Sequence, residues 1–202
     1  MTVLITGVLV WALVHLTPTL AQPVKKDLIE RLGNNGYRAA FSILLFAAIA
    51  IIVIGWRSTP EVVVYVLPEW TKPVGFVLII LAFLLIGAAH HPTRIKQYLR
   101  HPMLVGVAIW ALSHLLQNGT TRALVLFGGI GLWALLEIPL INRREGPYEK
   151  PGSPSFSEEI KGLFISAIIF VAVLLIHPWI AGVSPFPRCF VRRFPRAAAG
   201  AS

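Results

Sequence analysis

The chain has 202 residues, 56% of them hydrophobic and only 13% charged, where a soluble domain carries about 25% charge. That balance excludes a soluble globular protein and makes this an all-α integral membrane protein. The formal charge of +9 does not point to nucleic acid, because Lys and Arg fall in short connections between apolar runs, where topology and anionic lipid account for them. Cys189 is the single cysteine, which excludes an internal disulfide framework and any multi-cysteine metal centre.

Six apolar runs follow in order, each read as a transmembrane helix. The first covers about residues 2–20 and lacks the basic flank and cleavage site of a signal peptide. A polar loop with Lys25, Lys26 and Arg31 follows, and Gly33-Asn34-Asn35-Gly36 reads as a turn. The second span, 37–56, is long enough for a hydrocarbon core of ~30 Å. Residues 61–67, between Pro60 and Pro68, are apolar but too short to cross, so they are expected at the interface or tucked against the bundle. Trp56 and Trp70 are expected as interfacial belt residues. The third span, 74–89, ends in His90-His91-Pro92. Pro102 has no N–H to leave unpaired and so opens the fourth, which runs toward Asn118-Gly119. The fifth, 123–141, carries Glu137 near its end, where the side chain is expected to snorkel to the interface. The last, 160–180, carries His177-Pro178 near its exit. Residues 1–186 form one domain, and 187–202 read as a basic, disordered tail.

Lys and Arg are denser in the loops after spans one, three and five than in those after two and four. The positive-inside rule then puts both termini outside the cytoplasm. For a bacterial inner membrane that means the periplasm. Arg188, Arg192, Arg193 and Arg196 in the tail oppose this orientation.

The chain also repeats itself. Residues 7–16 and 106–115 share seven of ten positions, including Trp11 with Trp110 and His15 with His114. Leu45-Phe46-Ala47-Ala48-Ile49-Ala50 is echoed by Leu126-Phe127-Gly128-Gly129-Ile130-Gly131, and spans three and six both end on His-Pro. Three echoes in one order predict a three-plus-three duplication. Since three is odd, the halves would be inverted repeats, whose sites tend to lie where the halves meet.

An ionisable ring inside an apolar helix is costly and marks a site by default. His15 and His114 each lie past the centre of their spans, and their side chains lean back toward the midplane. They are therefore the expected metal ligands, with Trp11 and Trp110 one turn before them. Two imidazoles meeting on an axis suit a bis-histidine haem, with Gly7, Gly106, Ala12 and Ala111 making room for its plane. Zinc normally takes four ligands, which these spans lack. The same residues equally suit two buried imidazoles bonded to neighbouring helices. His90, His91 and His101 sit at helix ends beside basic residues, where contact with lipid headgroups is the default.

Arg100-His101-Pro102, Trp110-Ala111-Leu112-Ser113-His114 and Asn118-Gly119 resemble the signature of the NnrU-like membrane protein family. Trp11-Ala12-Leu13-Val14-His15-Leu16, Leu32-Gly33, Tyr37-Arg38 and Asn142-Arg143-Arg144 extend the likeness to about Phe186. The resemblance implies a link to bacterial denitrification and nitric-oxide metabolism. A related plant enzyme, 15-cis-zeta-carotene isomerase, implies haem b, with ligands falling on His15 and His114 and a further motif histidine on His101. Ala111 stands where the isomerase has a cysteine, which excludes thiolate ligation, and its late histidine motif is replaced here near Trp133. A redox or sensing role is thus expected, with membrane lipid, a small apolar ligand or a redox partner around it. Arg-His-Pro before Gly106, with Arg143-Arg144-Glu145, also resembles isoprenylcysteine-type membrane methyltransferases. The same residues are compatible with a carotenoid-type isomerase, or with a haem-free scaffold for respiratory complexes.

Overall fold

In the computed structural model, residues 1–183 are described, and the tail expected at 187–202 lies outside them. The chain is helical: α1 Thr2–Leu20, α2 Gln22–Ser58, α3 Thr71–Ala88, α4 Ile95–Tyr98, α5 Pro102–Leu115, α6 Thr121–Glu145 and α7 Phe156–Ala181. Five of these, α1, α2, α3, α6 and α7, are long and apolar enough to cross a membrane, which makes the protein multi-pass. The expected fourth span is shorter than a crossing: its 14 residues rise ~21 Å against a core of ~30 Å.

Local chemistry explains the ends. Pro102 opens α5 as the sequence suggests. Ser155 and Glu158 form a capping box at the start of α7, and Gly182 closes it at φ 75°, a left-handed conformation suited to glycine. The polar loop expected before the second span is instead helical, broken at Gly33 (φ 70°, ψ 169°). Residues 22–32 thus form a helical arm whose Arg31 and Asp27 pair across one turn at 2.8 Å. Residues 61–67 do not cross: Val64 N donates to Gly119 O at 2.7 Å and Thr121 N to Val62 O at 2.9 Å, which fastens the segment to the α5–α6 turn. Tyr65 Oη donates to Leu115 O at 2.7 Å and anchors it further. Trp70 is 65% exposed, as a belt residue would be, but Trp56 is 8% exposed and packs in the core against Phe127.

Packing runs around the bundle in the order α2, α1, α6, α5, α3, α7, with a lighter contact from α7 back to α2. Lipid tails are as apolar as leucine, so close backbone approach takes the place of hydrophobic drive between such helices. A Cβ on Gly7 would meet Ile52 N at 2.8 Å, and one on Gly106 would meet Ala82 O at 2.9 Å. Ala111 is buried and touches the position a Cβ on Gly131 would take, at 3.0 Å. Ala12 packs against the cluster of Leu104, Trp133 and Ala134. The small residues expected to admit a haem plane are used to seat one helix on another.

The two echoing histidines make the same local bond. His15 Nδ1–H donates to Trp11 O and His114 Nδ1–H to Trp110 O, both at 2.9 Å. The wider packing is less even, because α3 lies extensively along α5 whereas α7 has no matching contact with α1.

Between α3, α4 and α7 a cavity is lined by His91, Thr93, Arg94 and Glu159. His91 stands on Gly162 of α7, with no room there for a Cβ. Burial of the ring, then the Lys96 ammonium, hold His91 below its ordinary value of 6.5. The unfolded chain therefore takes up a proton that the folded chain resists. Stability from this group is present above about pH 6.5 and falls as the pH drops below it. Thermal unfolding in detergent between about pH 7 and pH 5 should show this decline, and His91→Gln should flatten it.

Candidate functional site

Besides the His91 cavity, histidines line two further places among the described residues, one at His15 and one at His114. The first is built by the end of α1, the middle of α2, the start of α5 and the second half of α6. His15, Thr19, Phe41, Arg100, His101, Leu104, Trp133, Glu137 and Arg144 line its ≈ 420 Å³. His15 is held by aromatic rings: Trp11 at 3.9 Å, Trp133 at 4.8 Å and Phe41 at 6.0 Å between centroids. Its Nδ1 is occupied by Trp11 O, so Nε2 is the free ring nitrogen.

Glu137 is where the structure departs furthest from expectation. It is 4% exposed and does not snorkel to the interface. Its Oε1 accepts from Thr19 Oγ1, while Oε2 has no partner. One turn earlier on α6, Trp133 Nε1 is likewise buried without a partner. The usable signal is an acid in a span at the depth reached by the late residues of α1, where an ionisable side chain is a site by default.

Outside this floor, His101 Nε2 and Asn142 Oδ1 lie 2.9 Å apart. Arg100 and Arg144 both bind Glu145, at 3.2 and 2.7 Å. Arg144 also donates to Pro18 O at 2.9 Å. The Arg-His-Pro and Asn-Arg-Arg-Glu stretches therefore join the start of α5 to the end of α6. In an exposed setting each such ion pair contributes at most about 1 kcal/mol.

His114 belongs to a second place, between α5 and α7. α7 leans on α3 and touches α2 but leaves space in front of α5. Two adjoining cavities of ≈ 200 and ≈ 330 Å³ occupy that space, and both are lined by Trp110, His114, Val173 and His177. The π-helical turn Leu124–Gly128 inside α6 brings Phe127 under His114, with ring centroids 4.3 Å apart and nearly parallel. Such turns are frequent at functional sites. His114 Nδ1 is taken by Trp110 O and His177 Nδ1 by Val183 O, both at 2.9 Å.

Each expected tryptophan thus lies beside its histidine, and His101 shares the cavity of His15. His15 and His114 are not brought together. His15 lies against Trp133 and His114 against Phe127. Those residues are six apart on α6, ~9 Å of rise. Two ring nitrogens that share one metal stand about 4 Å apart, at about 2 Å per bond. Each histidine does lean back one turn, to the carbonyl of Trp11 or Trp110, but that lean does not close the distance. Among the described residues, no group of three or more His, Cys, Asp or Glu is placed to hold a metal ion.

A multi-pass helical membrane protein with histidine-lined cavities, one of them floored by a buried acid, is the class these features define. The chain belongs to the NnrU protein family, whose family model matches residues 3–185. No curated protein matches it. No solved structure matches it either.

Proposed function

We propose that this protein binds haem b between α5 and α7, where the imidazoles of His114 and His177 would hold it. The observation that carries this reading is the pair of imidazoles lining the same two cavities, each with Nδ1 engaged by a backbone carbonyl and Nε2 left free. A backbone bond on one ring nitrogen fixes the tautomer that presents the other to a metal. Trp56, Trp110, Phe127, Leu126 and Ile180 supply apolar walls, and Gln117 and Asn118 a polar edge. The donor set around His114 therefore fits haem, whereas the pairing of His15 with His114 does not.

Bound there, haem would supply one-electron chemistry. Electron transfer or redox sensing is then the natural role. A role in denitrification and nitric-oxide metabolism, at a bacterial inner membrane with both termini periplasmic, is the reading that the family likeness supports.

The test is a reduced-minus-oxidised spectrum of protein purified in detergent. A sharp low-spin band is expected, lost in His114→Ala and His177→Ala and kept in His15→Ala. Loss in His15→Ala with retention in His177→Ala would return the ligand role to the histidine of α1. A colourless protein would leave the haem-free scaffold, or a methyltransferase that binds labelled methyl donor, as the better account.

A further inference from the structure

We infer that the cavity floored by Glu137 and Trp133 is a binding site for an uncharged hydroxyl-bearing amphiphile that enters from the bilayer. This does not depend on haem. The two groups lie one turn apart on α6, are 4% and 7% exposed, and line the same cavity. One holds a carboxyl oxygen and the other an indole N–H, both buried without a partner. A buried polar atom without a partner is costly, so two of opposite hydrogen-bonding sense define what would relieve both. A hydroxyl does so alone: its O–H donates to Glu137 Oε2 and its oxygen accepts from Trp133 Nε1–H.

The surroundings select against charge. An anionic head at this depth would set its oxygens against the carboxyl group of Glu137. A cationic head would face the rim of Lys96, Arg100 and Arg144. A zwitterionic phospholipid is placed the wrong way round. Its ammonium projects outward from its phosphate, whereas the acid lies deeper than the cations: Glu137 is seven residues from Arg144, ~10 Å along α6. Phe41, Met103, Leu104 and Ile141 provide apolar wall for a chain.

The experiment uses the full chain in phosphatidylcholine nanodiscs, with para-decylphenol as probe and its methyl ether and decyl phosphate as comparators. Binding is followed by calorimetry. Saturable binding of the phenol, at least fivefold tighter than the ether, is expected. Trp133→Phe keeps the ring packing, removes the N–H and should weaken the phenol about tenfold while leaving the ether unchanged; one hydrogen bond of about 1.4 kcal/mol is that factor. Val77→Ala, on the exposed face of α3 and outside the cavity, should keep the preference for phenol. Equal binding of phenol and ether would overturn the proposal in favour of plain apolar partition. Tighter, salt-sensitive binding of decyl phosphate would overturn it in favour of an anion site. An unchanged phenol affinity in folded Trp133→Phe would also overturn it. Because the haem band is read separately, this site and the α5–α7 site can fail independently.

Discussion

Gly55→Val should separate α1 from α2 and lower the thermal unfolding midpoint more than any other single glycine substitution in that pair. A Cβ at Gly55 would lie 2.5 Å from Leu4 N and 2.6 Å from its Cα. Those are backbone atoms of a helix, so no rotamer change can relieve the overlap and the two helices must move apart as rigid bodies. Leu4 is fully buried and lies in one cluster with Val8, Ile52 and Trp56, and the shift would open that cluster as a whole. In lipid no hydrophobic force draws the helices back, because packing itself is what holds them. Overpacking of this kind costs about 1–3 kcal/mol, and backbone contact puts this site toward the upper end. The measurement is loss of helical circular dichroism on heating in detergent. Gly128→Ala is the control: its Cβ would have no neighbour within 4 Å, and it should be neutral or slightly stabilising. Equal midpoints for the two variants would show that the α1–α2 approach is not tight.

Trp56→Ala should have the other large effect, and on two readouts together. The ring is 8% exposed, lies edge-on to Phe127 at 5.8 Å and sits beneath the Arg122 guanidinium at 4.3 Å. Its Nε1–H donates to Ala181 O at 3.1 Å, which ties the end of α2 to the end of α7. Truncation leaves a hole beside Phe127, a freed carbonyl on α7 and a buried guanidinium without its aromatic face. Aromatic truncation in a core costs about 3–5 kcal/mol. Part of that figure is transfer from water, which lipid does not provide, so about 3 kcal/mol is expected. The same change widens the cavity that contains His114, so on the haem reading proposed above the band should broaden or vanish although neither His114 nor His177 is altered. Trp56→Phe keeps most of the ring, loses the bond to Ala181, and should retain the band with a smaller loss of stability. A Trp56→Ala protein as stable as the parent would place this tryptophan at the lipid interface, where hydropathy alone puts it.

How much of this is legible in the sequence differs from residue to residue. The apolar runs place α1, α3, α6 and α7 closely, because burying backbone groups in lipid leaves the helix as the available form. Pro102 is readable as a helix start from its own missing N–H. The helical arm of residues 22–32 is not legible, because Gly33-Asn34-Asn35-Gly36 has the composition of a full turn, whereas one residue in a left-handed conformation bends the chain and lets the helix resume. Trp56 and Glu137 both read as interfacial from their positions near span ends. Depth along a helix is readable from such positions, but the side of the helix is not.

The histidines show the same division. That His15 and His114 are special follows from composition alone, since an imidazole between apolar neighbours must find a partner, and each finds the carbonyl four residues back, a contact fixed by helix geometry. Which other residues they face is not local. The packing order sets α5 between α3 and α6 and leaves open space toward α7, so His114 meets His177 across a cavity and His15 meets Glu137 across another. The sequence by itself determined the membrane environment, the apolar runs and the local bond that His15 and His114 each make, because those depend on hydropathy and nearest-turn contacts. Only the tertiary structure decided which of these residues share a cavity, because that depends on where glycine and alanine let two backbones meet.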